Sequence, residues 1–184
     1  AQGAVSVTGA LLVDVSGAPG APASPASLCS TGAGVCLEGV GARFSGNASG
    51  AQGSGHITST GYALHMSAGT GQTATIGGTA LSTSGALDLI SVQNAAGTIT
   101  LTNSTAQAGS NGVALAATAN STLAFTNDST QITGDVTAAA GSAVAMALNN
   151  GSALKGVITA AKADIDANSR WDVRASSTPA RLNN

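Results

Sequence analysis

The chain is poor in charge, in aromatic rings and in cysteine. Of its 184 residues, six are Lys or Arg, eight are Asp or Glu and only four are aromatic, and the formal net charge is −2. Nucleic acid is excluded as a principal partner, because its binding relies on Lys and Arg side chains that neutralise phosphates. Disorder driven by net charge is also excluded, since the charge is small and 43% of the residues are hydrophobic.

Long hydrophobic runs are missing as well. No stretch approaches the roughly 18–20 continuous apolar residues of a membrane-spanning helix. We therefore expect no membrane insertion of this segment. The first residues, Ala1 to Ala4, have neither the basic region nor the apolar region of a signal peptide.

Small residues dominate what is present. Ala, Gly, Ser and Thr make up 106 of the 184 residues, and only 39 are Leu, Ile, Val, Met, Phe, Trp or Tyr. A compact globule of ordinary shape needs more bulk than this for its core. The composition therefore favours an architecture with a narrow interior.

The two cysteines lie close together in the sequence. Cys29 and Cys36 are seven positions apart, and two glycines between them make a tight loop easy to close. We predict a local disulfide, which would place the protein in an oxidising compartment. The alternative is a pair of free, buried thiols.

The chain divides into two parts by composition. Residues 1–55 contain three of the four prolines, Pro19, Pro22 and Pro25, and form a loop-rich N-terminal or cap segment in this interpretation. Residues 56–184 alternate bulky and small side chains, most clearly over 142–149. That alternation predicts short strands, separated by turns rich in Gly, Asn and Ser. A helix competes with strands only over 157–167, where Ala is frequent.

Internal similarity favours a solenoid over an antiparallel sandwich. Residues 134–138 recur as 156–160, 22 positions later, and 61–64 recur as 78–81 and 112–115. Units of about 17–22 residues, each made of strands and turns, are typical of the coils of a parallel β-helix. At about 20 residues a coil, residues 56–184 would make about six or seven coils.

Part of the chain resembles a known family. Asn150-Gly151-Ser152 followed by aliphatic residues, and then the segment 168–173 with its Asn-Ser-Arg-Trp-Asp-Val sequence, are similar to motifs of pertactin-like autotransporter passenger domains. The likeness covers residues 120–182 well and 56–119 loosely. It implies a right-handed parallel β-helix that a Gram-negative bacterium exports through the periplasm and the outer membrane. The protein would then be secreted or held at the cell surface by a C-terminal translocator barrel.

Few residues offer chemistry. His56, His65, Glu38 and the two cysteines lack the spacing of zinc ligands, and we expect no catalytic, cofactor-binding or metal-binding residues. Arg43 and Phe44, near the cysteine loop, are the candidate binding loop, because loops on rigid scaffolds often carry recognition.

The sequence thus predicts a non-catalytic surface module that acts in adhesion, self-association or binding of a host protein or glycan. One alternative is a polysaccharide-active β-helix enzyme, a lyase or hydrolase that would use Asp164, Asp166 and Asp172. Another is an ice-binding solenoid with an outward threonine face that includes residues 98, 100 and 102. A trimeric β-roll adhesin head is a third.

Overall fold

A computed structural model describes residues 11–16, 33–48 and 52–184. Every regular element in these ranges is a β-strand, including the segment 157–167 where a helix competed. The strands are β1 (Leu11–Ser16), β2 (Val35–Glu38), β3 (Arg43–Ala48), β4 (Gly55–Ser59), β5 (Leu64–Gly77), β6 (Thr79–Thr83), β7 (Ile90–Thr102), β8 (Thr105–Gln107), β9 (Val113–Thr118), β10 (Thr122–Asp128), β11 (Gln131–Thr133), β12 (Asp135–Ala138), β13 (Ala143–Asn149), β14 (Ala153–Gly156), β15 (Ile158–Thr159), β16 (Lys162–Ile165), β17 (Arg170–Val173) and β18 (Arg181–Asn183).

The strands stack in parallel as a solenoid with three faces, and each coil adds a strand to each face. Face 1 consists of β2, the first part of β5, the first part of β7, β9, β12 and β15. Face 2 consists of β3, the second part of β5, the second part of β7, β10, β13, β16 and β18. Face 3 consists of β4, β6, β8, β11, β14 and β17. The predicted parallel β-solenoid is therefore confirmed.

The solenoid makes about five turns, and its coils differ in length. On face 3, Ile57 lies beside Leu81 in an early coil, whereas Leu154 lies beside Trp171 in a late one. The early pair is further apart in the sequence than the late pair, so the early coil uses more of the chain. Because the early coils are longer than the average assumed from the sequence, the expectation of six or seven coils after residue 56 was too high.

Side chains that point inward form columns along the solenoid axis. On face 2, for example, Phe125 lies between Ile99 and Met146, and all three side chains are at most 1% exposed. Alanine takes the same place in other coils, as at Ala74 and Ala163. Large and small residues thus share one column, which explains how so few bulky residues fill the interior.

In the coils that contain β5, β7 and β10, two residues close the corner between faces 2 and 3. The first adopts a positive φ, which Gly and Asn tolerate best, as in Gly78 and Asn103. The second is a buried Ser or Thr, as in Thr79 and Ser104, which are both 0% exposed. The Ser104 hydroxyl donates to the Thr102 carbonyl at 2.8 Å and accepts from the Thr79 N–H at 3.2 Å. Ser104 therefore satisfies a buried amide of the coil before it.

Described strands on both sides of residue 55 belong to the same solenoid. β2 and β3 pair in parallel with β5, so the first coil begins before residue 56. β1 pairs with β3 in the antiparallel sense and so covers the outer edge of that first strand of face 2. The three prolines at positions 19, 22 and 25 lie outside the described residues.

Candidate functional site

Face 2 carries a regular array of small, uncharged side chains. In the outward positions, Thr73 lies beside Thr98, and Thr75 lies beside Thr100, which in turn lies beside Thr126. Alanine continues both columns in the next strands. We call the whole set the threonine patch: Thr73, Thr75, Thr98, Thr100, Ala124, Thr126, Ala145 and Ala147.

Charged residues border this patch, and the nearest along a strand is Asp128, two positions after Thr126 on β10. Arg43 and Ser45 precede it on β3, and Lys162 and Asp164 follow it on β16. Adjacent strands repeat the hydroxyls and methyls every ~4.8 Å, and along one strand they recur about every 6.6 Å. The patch can therefore make repeated contacts with another regular surface.

A second feature is a concavity at the corner between faces 3 and 1, which we call the corner cavity. Its volume is about 390 Å³. Gln107, Thr133 and Lys155 lie beside one another on β8, β11 and β14 and form one wall. Asp135 and Arg174 complete the polar lining, and three glycines also line the cavity: Gly109, Gly112 and Gly134.

Face 1 holds the histidine with the most perturbed surroundings among the described residues. The His65 ring stacks on Tyr62, with ring centroids 5.0 Å apart, and its Nδ1 atom is buried with no hydrogen-bond partner. Burial lowers the pKa of His65, against smaller opposing effects from the Glu38 charge and a hydrogen bond with the Ser91 backbone. Protonation of this ring is therefore disfavoured in the folded chain.

The structure places the candidate binding loop on a strand. Arg43 and Phe44 begin β3, and Phe44 points into the core with 5% of its surface exposed. Of the two, only Arg43 offers its side chain to a partner, because residues along a strand alternate between the two sides of the sheet. The preceding loop carries Val40, which is 66% exposed.

The predicted disulfide stays a prediction. Cys36 lies on β2 of face 1 and is 3% exposed. Its predicted partner, Cys29, lies outside the described residues.

The aspartates that a polysaccharide-active enzyme would use do not lie on one face. Asp164 lies on β16 of face 2, while Asp172 lies on β17 of face 3 and forms a salt bridge with Arg170 at 3.5 Å. Asp166 lies in the turn between them. The nearby Ser169 hydroxyl and the Asn150 backbone lower the pKa of Asp166. The Asn150 and Asn168 N–H groups donate to its carboxylate at 2.6 and 3.1 Å. These contacts hold the Asp166 carboxylate within the turn.

The two histidines also lie apart. His56 points outward on face 3 and His65 lies on face 1. Within the described ranges, no three His, Cys, Asp or Glu side chains form a group suited to a metal ion. The same ranges contain no helix long and apolar enough to span a membrane.

Sequence reasoning missed the corner cavity. Its wall residues Gln107, Thr133 and Lys155 are 26 and 22 positions apart, so no local motif connects them. The recurrence of residues 134–138 as 156–160 was the available signal, because it gives the correct register of Val136 beside Ile158.

The fold and these surfaces define an all-β parallel solenoid with polar outer faces. No family model, no curated protein and no solved structure matches the chain. The function is therefore argued from the surfaces themselves.

Proposed function

We propose that the chain is a non-catalytic binding module displayed on a bacterial cell surface as the passenger of an autotransporter. It acts by adhesion, by self-association or by binding a host protein or glycan. The threonine patch is the observation that carries this proposal, because its eight side chains form a repetitive, uncharged surface across four adjacent strands.

Self-association is the simplest use of the patch. Two sheets that pack face to face lie about 10 Å apart, and small side chains allow that approach. Thr and Ala side chains bury methyl groups, and the hydroxyls can pair across the interface. A second copy of the same face presents the same spacing, so the contacts recur at each coil.

A single charge tests this use. In Thr98→Glu, two carboxylates would face each other across a symmetric contact, so we expect the dimer or larger species to dissociate in sedimentation velocity runs. Thr58→Glu is the matched control, because Thr58 is an exposed outward threonine on face 3. Self-association that survives Thr98→Glu but is lost in Thr58→Glu would contradict the assignment to face 2.

The autotransporter assignment has a separate test in the gene. We expect the coding sequence downstream of this segment to encode an outer-membrane β-barrel domain, and antibodies to the segment to label intact cells. A gene that continues without a barrel would overturn the export route but would leave the patch experiment unaffected.

Ice binding is the second candidate, and the register of the threonines favours it. Thr73 and Thr75 repeat directly beside Thr98 and Thr100, which orders four hydroxyls in a rectangle. Thr102 does not extend this array, because its neighbours are Gly77 and Asp128. We expect thermal hysteresis that Thr100→Leu reduces and Thr58→Leu does not. If solutions of the parent protein freeze without thermal hysteresis, the ice-binding function is wrong.

A further inference from the structure

The corner cavity gathers charged and hydrogen-bonding groups from five segments of the chain. Gln107, Thr133 and Lys155 project from three adjacent strands of face 3, Asp135 begins β12, and Arg174 directly follows β17. The volume of about 390 Å³ is in the range of cavities that hold small ligands.

Glycine allows the coils to pack closely at this corner. Gly134 has a φ of 132°, and a Cβ at this position would lie only 2.9 Å from the backbone nitrogen of Ala114. A larger residue there would be strained and would crowd the corner. Glycine at position 134 therefore lets the backbones of adjacent coils approach closely at the corner where the cavity lies.

The two cations of the cavity have no carboxylate partner in the part of the chain that the structure describes. Among the described residues, the only salt bridge joins Arg170 and Asp172. Lys155 and Arg174 are both exposed and are free to bind an anion. Asp135 uses Oδ1 to accept the Val157 N–H at 2.8 Å, and its other oxygen makes no hydrogen bond within the described part of the chain.

We propose that the corner cavity binds a carboxylated sugar residue of an acidic saccharide. Arg174 and Lys155 bind the carboxylate, while Asp135, Gln107 and Thr133 bind ring hydroxyls. This assignment rests on the proposed binding function and names a ligand for it. A ligand with only a carboxylate would be repelled by the negative charge of Asp135. A sugar also has ring hydroxyls, and these can donate hydrogen bonds to the Asp135 carboxylate.

The experiment is a titration of the ¹⁵N-labelled chain with glucuronic acid and, in parallel, with glucose, which differs by the carboxylate. We expect saturable shifts of the Gly109, Gly112 and Gly134 amides with glucuronic acid only. Lys155→Gln and Arg174→Gln should each weaken binding about tenfold, the loss of one charge-assisted hydrogen bond. Lys162→Gln, on an exposed lysine of face 2, is the matched control and should bind as the parent does.

Asp135→Asn separates a saccharide from a simple anion. The Asn carbonyl can still accept the Val157 N–H, so the turn is kept. We expect this variant to bind glucuronic acid more weakly and acetate more tightly, because it loses a hydroxyl acceptor and a negative charge together. Tighter binding of both ligands would overturn the saccharide assignment, as would a triglutamate peptide that binds as well as glucuronic acid.

The outcomes also separate this site from the threonine patch. Thr98→Glu should leave glucuronic acid binding intact, and Lys155→Gln should leave self-association intact. No saturable shift with glucuronic acid would overturn the cavity assignment while the self-association result stands by itself.

Discussion

At the scale of single residues, buried hydroxyls hold the corners between faces 2 and 3. Ser152 is 0% exposed; its Oγ donates to the Asn149 carbonyl at 2.7 Å and accepts from the Thr130 N–H at 3.0 Å. A hydroxyl is small enough for the corner and can donate and accept at once. Composition predicts Ser at turns, but it does not show that these particular serines face inward.

We expect Ser152→Ala to lower the free energy of unfolding by about 1–3 kcal/mol, because the Thr130 N–H is left buried without an acceptor. Ser45→Ala, on an exposed serine of β3, should change it by less than about 0.5 kcal/mol. Urea unfolding followed by circular dichroism measures both. Equal effects of the two substitutions would contradict the role of the corner hydroxyl.

His65 should make stability depend on pH. Burial lowers its pKa in the folded chain below the value of about 6.5 in the unfolded chain. The unfolded chain then binds the proton more readily, so stability is full above about pH 6.5 and falls as the pH drops through the interval down to the lowered folded pKa.

Unfolding measured at pH 7.5 and at pH 5 should show this loss in the parent and a smaller loss in His65→Gln. His56→Gln, which replaces the exposed histidine of face 3, controls for the loss of a histidine as such. The same acid-side loss in His65→Gln as in the parent would show that another group causes it.

At the scale of elements, period-two alternation predicted the strands well. The segment 142–149 forms β13, and the segment 157–167, where helix and strand competed, forms β15 and β16. Tertiary packing decides that case, because Ile158 and Ala163 are both buried beside the preceding coil. Alanine supports either structure locally, so propensity alone could not settle it.

One predicted repeat was wrong at this scale. Leu64 and Leu115 occupy equivalent places on face 1, two coils apart, but Leu81 lies on face 3. The match of 61–64 with 78–81 is therefore a coincidence of a chain with few residue types. Equivalent positions depend on the length of each coil, which the sequence does not state.

The two sides of β7 should respond differently to truncation. Ile99 is 0% exposed, so Ile99→Ala should cost about 2–5 kcal/mol through lost burial and the cavity that remains. Thr98→Ala, on the outward side of the same strand, should change stability by less than about 0.5 kcal/mol. Thermal and urea unfolding of both variants would test this. A large loss of stability in Thr98→Ala but not in Ile99→Ala would contradict the assignment of Ile99 to the inward side and Thr98 to the outward side.

At the scale of the whole molecule, the parallel strands of each coil pair only with strands of the coils beside it. The Gln52 side chain reaches further, because it donates to the Ser104 and Ser129 carbonyls at 3.0 and 2.7 Å. A solenoid of this kind tolerates the removal of one complete coil, because the flanking coils can restack. Val136 lies beside Ile158, so residues 136–157 make up one such repeat. Their deletion places Ile158 beside Leu115, the neighbour that Val136 has now.

We expect the variant without residues 136–157 to keep its β-sheet circular dichroism spectrum and its resistance to protease, with reduced stability. Deletion of 136–146 removes about half of the repeat and exchanges inward for outward side chains, so this variant should unfold. If both deletions unfold the chain, the coils are not independent units. If both are tolerated, the register does not govern folding.

The kind of architecture was already specified by the sequence. Alternation required strands, and a composition of mostly small residues with few bulky ones required a narrow interior. Which residues become neighbours depended instead on how the coils stack, because coils of unequal length bring together positions at no constant spacing. Thr73 beside Thr98, and Thr133 between Gln107 and Lys155, follow from stacking in space. Both proposed surfaces arise from that stacking.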